Sequence, residues 1–255
     1  MEMTFYEGTS LVISLIALGA ATYKPIWNLI HKARLLVEPY AQILIMHGMG
    51  NPQINMSLIL TNVGGHNLSI NNIMLNLSYN DNPIPLKAQS FFKWGTNETP
   101  LYFSRLSLAA EKDWNNVVVF YTALSKADED TTRTIARNLR RDIRGKIDER
   151  NRVNTQNTTL IEGDNRYVAA ALEFFNNHNK WVQGEYRAEL KFDCTPKHAS
   201  CSYTFRFTLY ETDANIIREY CENKYKYGFG VVQDFKDGDK PEIPSAEIQD
   251  FRLKG

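Results

Sequence analysis

The chain has 255 residues, 29 of them basic and 29 acidic, so its formal net charge is zero. That balance argues against bulk nucleic-acid binding. Three cysteines (Cys194, Cys201, Cys221) are too few for a disulfide scaffold, and their odd number suits a reducing compartment.

The chain opens on its most apolar stretch. Sixteen residues from Gly8 to Tyr23 carry no charge, with Glu7 before them and Lys24, Lys32 and Arg34 after. At ~1.5 Å per residue they cover roughly 24 Å, short of a hydrocarbon core of ~30 Å. Phe5, Tyr6, Ile26, Trp27, Leu29 and Ile30 extend the apolar character on both sides, and the reading they favour is a transmembrane helix. A cleaved signal peptide would begin with basic residues, whereas this start is acidic; a buried core helix is the other alternative. The positive charge after the helix places the C-terminal part in the cytoplasm, with the anchor in the inner membrane. Ser10, Ser14, Ala17 and Ala21 share one helical face, where small residues let two helices approach and so support a homo-oligomer.

Residues 35–79 read as three strands. Leu35 to Met46 is a long apolar run with Pro39 near its start, as on an edge strand. Ile54, Met56, Leu58 and Leu60 alternate with polar residues, and Val63-Gly64-Gly65-His66-Asn67 is a turn. Leu68 and Ile70, then Ile73, Leu75, Leu77 and Tyr79, alternate with a phase slip at Asn71-Asn72, the signature of a β-bulge. Val117 to Tyr121 is a further strand.

Residues 126–166 differ in composition. Asp128-Glu129-Asp130 stands where a helix N-terminus favours negative charge, and Ile135, Leu139, Ile143 and Ile147 follow at four-residue spacing. Arg133, Arg137, Arg140, Arg141 and Arg144 surround that narrow stripe. Such a basic amphipathic helix suits anionic lipid, an anionic or nucleotide ligand, or a partner helix; a simply solvated face is the plainer alternative.

Two late strands follow, through Tyr186, Ala188, Leu190 and Phe192, then Tyr203, Phe205, Phe207 and Leu209. Trp181-x-x-Gly184-x-Tyr186 resembles the tyrosine corner of immunoglobulin-like sandwiches, where the hydroxyl bonds back to the chain. The resemblance covers residues 35–121 and 181–210 as a pattern and lacks the Cys-Trp-Cys framework of antibody domains. Asp213 opens a helix ended near Gly228, with Ile216, Ile217, Tyr220 and Cys221 on one face.

The chemistry-bearing residues are sparse. Cys194, His198 and Cys201 are weak candidates for a metal site, since tetrahedral sites use tighter pairs. No Ser/His/Asp or HExxH arrangement occurs, and Gly228-x-Gly230 and Gly48-x-Gly50 lack the third glycine of a nucleotide loop. No cofactor is implied. The sequence therefore predicts a mainly β, immunoglobulin-like β-sandwich, α+β overall, with an N-terminal transmembrane helix and a helical insertion. Residues 1–34 form the anchor and juxtamembrane segment, 35–232 the sandwich with its insertion at 126–166, and 233–255 a charged tail ordered only by a partner. The expected function is non-enzymatic: a membrane-anchored binding, sensing or effector protein, with membrane lipid and a protein partner or second copy as its contacts. Bacterial stress and anti-phage membrane effectors resemble this layout at the level of architecture. An extracytoplasmic adhesion domain on an uncleaved signal anchor is the first alternative, and a hydrolase with an unrecognised site the second.

Overall fold

A computed structural model describes residues 13–23, 26, 31–93, 95, 99–153, 160–228 and 243–254. Residues 13–23 form a helix, α1. The alternating segments then become β1 (Leu35–Gly48), β2 (Asn51–Asn62), β3 (Leu68–Tyr79), β4 (Asn82–Phe92), β5 (Leu101–Tyr102), β6 (Leu106–Leu108) and β7 (Asp113–Tyr121). Two helices follow, α2 (Lys126–Val153) and α3 (Asn165–His178), and then β8 (Gly184–Thr195), β9 (Cys201–Leu209) and α4 (Glu211–Lys226). The chain ends with β10 (Ser245–Glu247) and β11 (Gln249–Leu253).

The immunoglobulin-like sandwich is corrected. Instead of two stacked sheets, one antiparallel sheet runs in the order β10-β1-β2-β7-β4-β3-β8-β9-β11 and curls until it nearly closes. Period-2 alternation cannot separate the two cases, because a sandwich and a curled sheet both bury one face of every strand. The buried face here fills the inside of the curl with Ile43, Ile45, Met56, Leu58, Leu75, Leu190 and Phe207.

The expected transmembrane helix is corrected as well. Among the described residues no helix is long and apolar enough to cross a membrane. The described part of α1, residues 13–23, rises only about 16 Å. Residues 1–12, with Ser10 of the small-residue face, lie outside the described residues.

The phase slip at Asn71-Asn72 is a register shift between β3 and β8, and the Asn71 side chain there donates to Thr195 Oγ1 at 2.9 Å. A second shift, between Pro39 and Ile43, bends β1 beside β2. Two prolines, Pro83 and Pro85, sit inside β4. They lie where β4 pairs with β3 alone, because its pairing with β7 starts only at Lys87. The missing N–H groups therefore cost no hydrogen bond on the β7 side. The tail is corrected in part: residues 245–253 pair with β1 on one side and β9 on the other, while 233–242 lie outside the described residues.

The helices make a second, smaller core. Leu139 of α2, Ala171, Phe174 and Phe175 of α3, and Cys221 and Tyr225 of α4 pack together with Met49 of the turn after β1. Ser125 starts α2, its hydroxyl accepting from the Asp128 N–H at 3.1 Å and donating to the Asp128 carboxylate at 2.7 Å. The α3 helix was not anticipated. Its signal was present, since Val168, Ala171, Leu172 and Phe175 recur at helical spacing.

Candidate functional site

The α2 helix carries the strongest charge pattern. At ~100° per residue, Arg133, Arg137, Arg140, Arg141 and Arg144 fall within about 100° of one another, on the side away from the buried Leu139 and Ile143. All five are exposed. Residues 133–144 contain one acidic side chain, Asp142, and it faces inward. Its carboxylate pairs with Lys146 at 3.0 Å and accepts the Asp164 N–H at 2.7 Å, fixing the start of α3. Arg133 pairs with Glu129, and Arg137 donates to Thr134 Oγ1 at 3.2 Å. Arg137, Arg140, Arg141 and Arg144 together cover about 10 Å of the helix.

The α1 helix is the strongest apolar feature. Ile13, Leu15, Ile16 and Leu18 are 66, 59, 67 and 60 % exposed. Ser14, Ala17 and Ala21 lie on the same exposed helix. Four large aliphatic side chains stand uncovered within six residues of this helix, whereas single exposed ones are ordinary.

A buried polar position lies between the two cores and was missed by the sequence reading. His47 shares the inward parity of Ile43 and Ile45 on β1, which was the available signal. It is 4 % exposed, its ring meets Phe175 edge-on at 4.7 Å, and neither nitrogen has a hydrogen-bond partner among the described residues. Burial pushes its pKa down to about 4, and the charges of His178 and Lys224 press the same way, while the nearby backbone of His178 and Gly48 opposes them. Cys221 donates to the His47 carbonyl at 3.9 Å, and burial lifts its thiol to about 11. A neutral imidazole beside a protonated thiol provides no activated nucleophile.

The candidate metal ligands do not converge. Cys194 is buried, Cys201 half-buried and His198 exposed on a short 3₁₀ turn (Lys197–Ala199). Among the described residues no three His, Cys, Asp or Glu side chains are grouped to hold a metal ion. All three cysteines are free, and burial lifts Cys194 and Cys201 to about 12 and about 11.

The outer face of β8, β9 and β11 holds an open groove of about 750 Å³ that includes Glu185, Arg187, Glu189, Arg206, Asp250 and Lys254. Its charges largely satisfy one another. Arg206 reaches Asp250 at 2.6 Å and Glu185 at 3.4 Å, and Lys254 reaches Glu189 at 2.7 Å, which holds that carboxyl below its usual range.

The tyrosine corner is present although the sandwich is not. The Tyr186 hydroxyl lies 2.9 Å from the carbonyls of Lys180 and Val182 and accepts the Val182 N–H at 3.0 Å. Its ring stacks between Tyr79 and Phe207, each at 5.0 Å. These features define a mainly β protein with a curled antiparallel sheet, a small helical core and exposed apolar and basic helices. No protein-family model matches the chain, and no curated protein matches it.

Proposed function

We propose that this protein is a non-enzymatic binding module that works on the cytoplasmic face of a cell membrane. The observation that supports the reading is α1, whose large aliphatic side chains stand more than half exposed. Exposed apolar side chains of this kind suit the boundary between headgroups and acyl chains. The arginine face of α2 adds attraction to anionic headgroups. The curled sheet is then free to meet a protein partner or a second copy, the arrangement of a membrane-bound sensor or effector.

Vesicle flotation of the full chain tests this. The protein should float with vesicles containing phosphatidylserine, and more weakly with neutral phosphatidylcholine. Leu15→Asp with Leu18→Asp should abolish flotation on both. Reversing Arg137, Arg140, Arg141 and Arg144 to glutamate should remove only the preference for acidic vesicles, and salt should mimic that effect. A full chain that floats with neither vesicle sinks the proposal.

A further inference from the structure

The C-terminal strands hold an unusual position. β10 and β11 are consecutive in the chain, yet one pairs with β1 and the other with β9, the two strands that would otherwise be the free edges of the sheet. The segment is a strap across the seam. Pro244 accepts the Ile45 N–H at 2.9 Å, Ile248 donates to the Ala41 carbonyl at 2.8 Å, and Lys254 donates to the Ser202 carbonyl at 2.9 Å.

This strap is held lightly. It makes three register pairs with β1 and three with β9, with a shift between Gln249 and Arg252 where Asp250 takes a positive φ of 55°. By contrast, β2–β7, β3–β8 and β8–β9 each carry nine. Ala246 is buried, and Ile248 and Phe251 are only partly covered by the core. The main grips are the Phe251 ring, stacked on Tyr203 at 4.8 Å, the Asp250–Arg206 pair at 2.6 Å and the Lys254–Glu189 pair at 2.7 Å. Elements with few pairs and little buried apolar surface open locally before the body does. Once the strap lifts, β1 and β9 present unpaired backbone groups, which template another strand.

We infer that a second copy of this chain supplies that strand, so that the protein forms a strap-exchanged dimer. The strap of the second copy fits by construction: it brings the same apolar residues at the same spacing and the same carboxylate to Arg206. Eighteen residues, 227–244, separate α4 from β10, and a chain of that length reaches up to about 59 Å when extended, enough to cross to a neighbour. This inference does not depend on membrane binding.

The test uses the full chain with Gln42→Cys and Glu247→Cys, register partners that are both exposed. Two populations with different tags are mixed at high concentration, incubated and then oxidised. Exchange produces covalent dimers bearing both tags, and their rate of appearance rises about tenfold with Phe251→Ala, which removes an aromatic stack and its burial. Only intrachain disulfides, with no mixed dimer in either background, overturn the inference. So does a mixed dimer formed equally well by either single-cysteine variant, since that reports surface collision. A labelled peptide of residues 243–254 provides a second measurement that needs no mutation. Capture by the untouched full chain supports the inference, and failure to bind at any concentration overturns it.

Discussion

Gly184 and Tyr79 share a space that admits only one side chain. A Cβ on Gly184 would stand 2.5 Å from Cε2 of Tyr79, and the glycine holds a φ of 147° that side chains rarely adopt. The tyrosine is fixed there because its hydroxyl donates to the Gln183 carbonyl at 2.9 Å and its ring stacks on Tyr186. Gly184→Ala should therefore cost about 2–4 kcal/mol, from backbone strain and overpacking together. Chemical denaturation should show a lower midpoint with the slope unchanged.

Tyr186→Phe keeps the stacked ring and removes the hydroxyl. The Val182 N–H then loses its acceptor, and the carbonyls of Lys180 and Val182 lose their contact. A loss of about 1–3 kcal/mol is expected, with an unchanged far-ultraviolet spectrum. A variant as stable as the parent would mean that the corner contributes geometry without energy.

His47 should make the fold acid-sensitive. Its pKa of about 4 lies below the ordinary 6.5, so between these values the unfolded chain binds more protons than the folded one. Stability therefore falls as pH drops from about 6.5 toward 4, by ~3 kcal/mol in all, and this contribution levels off below that window. Urea titrations at pH 7 and pH 4.5 should show a smaller difference for His47→Leu than for the parent. An equal difference would place the acid sensitivity in other groups.

The N-terminal boundary is also open to measurement. The His31 carbonyl accepts the Gly65 N–H at 2.9 Å, the Arg34 carbonyl accepts the Val63 N–H at 2.9 Å, and Ala33 is buried. Gly64 is there because a Cβ would come within 2.2 Å of the Lys32 carbonyl oxygen. A chain beginning at His31 should keep the stability of the parent, whereas one beginning at Leu35 should lose about 2–3 kcal/mol. Thermal melts of the two truncations separate these outcomes.

Much of the local structure was legible in the residue order. The bulge at Asn71-Asn72 was visible because a one-residue slip moves every later side chain to the other face. The α2 helix and the outward position of its arginines follow from a 3.6-residue period, and the resemblance of Trp181-x-x-Gly184-x-Tyr186 to a tyrosine corner implied that the Tyr186 hydroxyl bonds back to the chain. The candidate site was legible only in part. The arginines could be listed, but the inward turn of Asp142 depends on the start of α3 lying beside it, and those two segments are 22 residues apart. β4 was hidden by Pro83 and Pro85, which are tolerable only because β7 begins its pairing beyond them.

The sequence by itself determined which faces of β2, β3, β8 and β9 are buried, and that α1 is apolar and α2 basic, because these depend on neighbours a few residues apart. Only the tertiary structure decided that the strands form one curled sheet, that His47 is trapped without a partner between two cores, and that the last strands close the seam. The physical reason is that side-chain parity reports inside against outside and carries no information about which strand lies next. The pairing of β1 with residues 245–247 and of β9 with residues 249–253 is settled by backbone hydrogen bonds between distant segments.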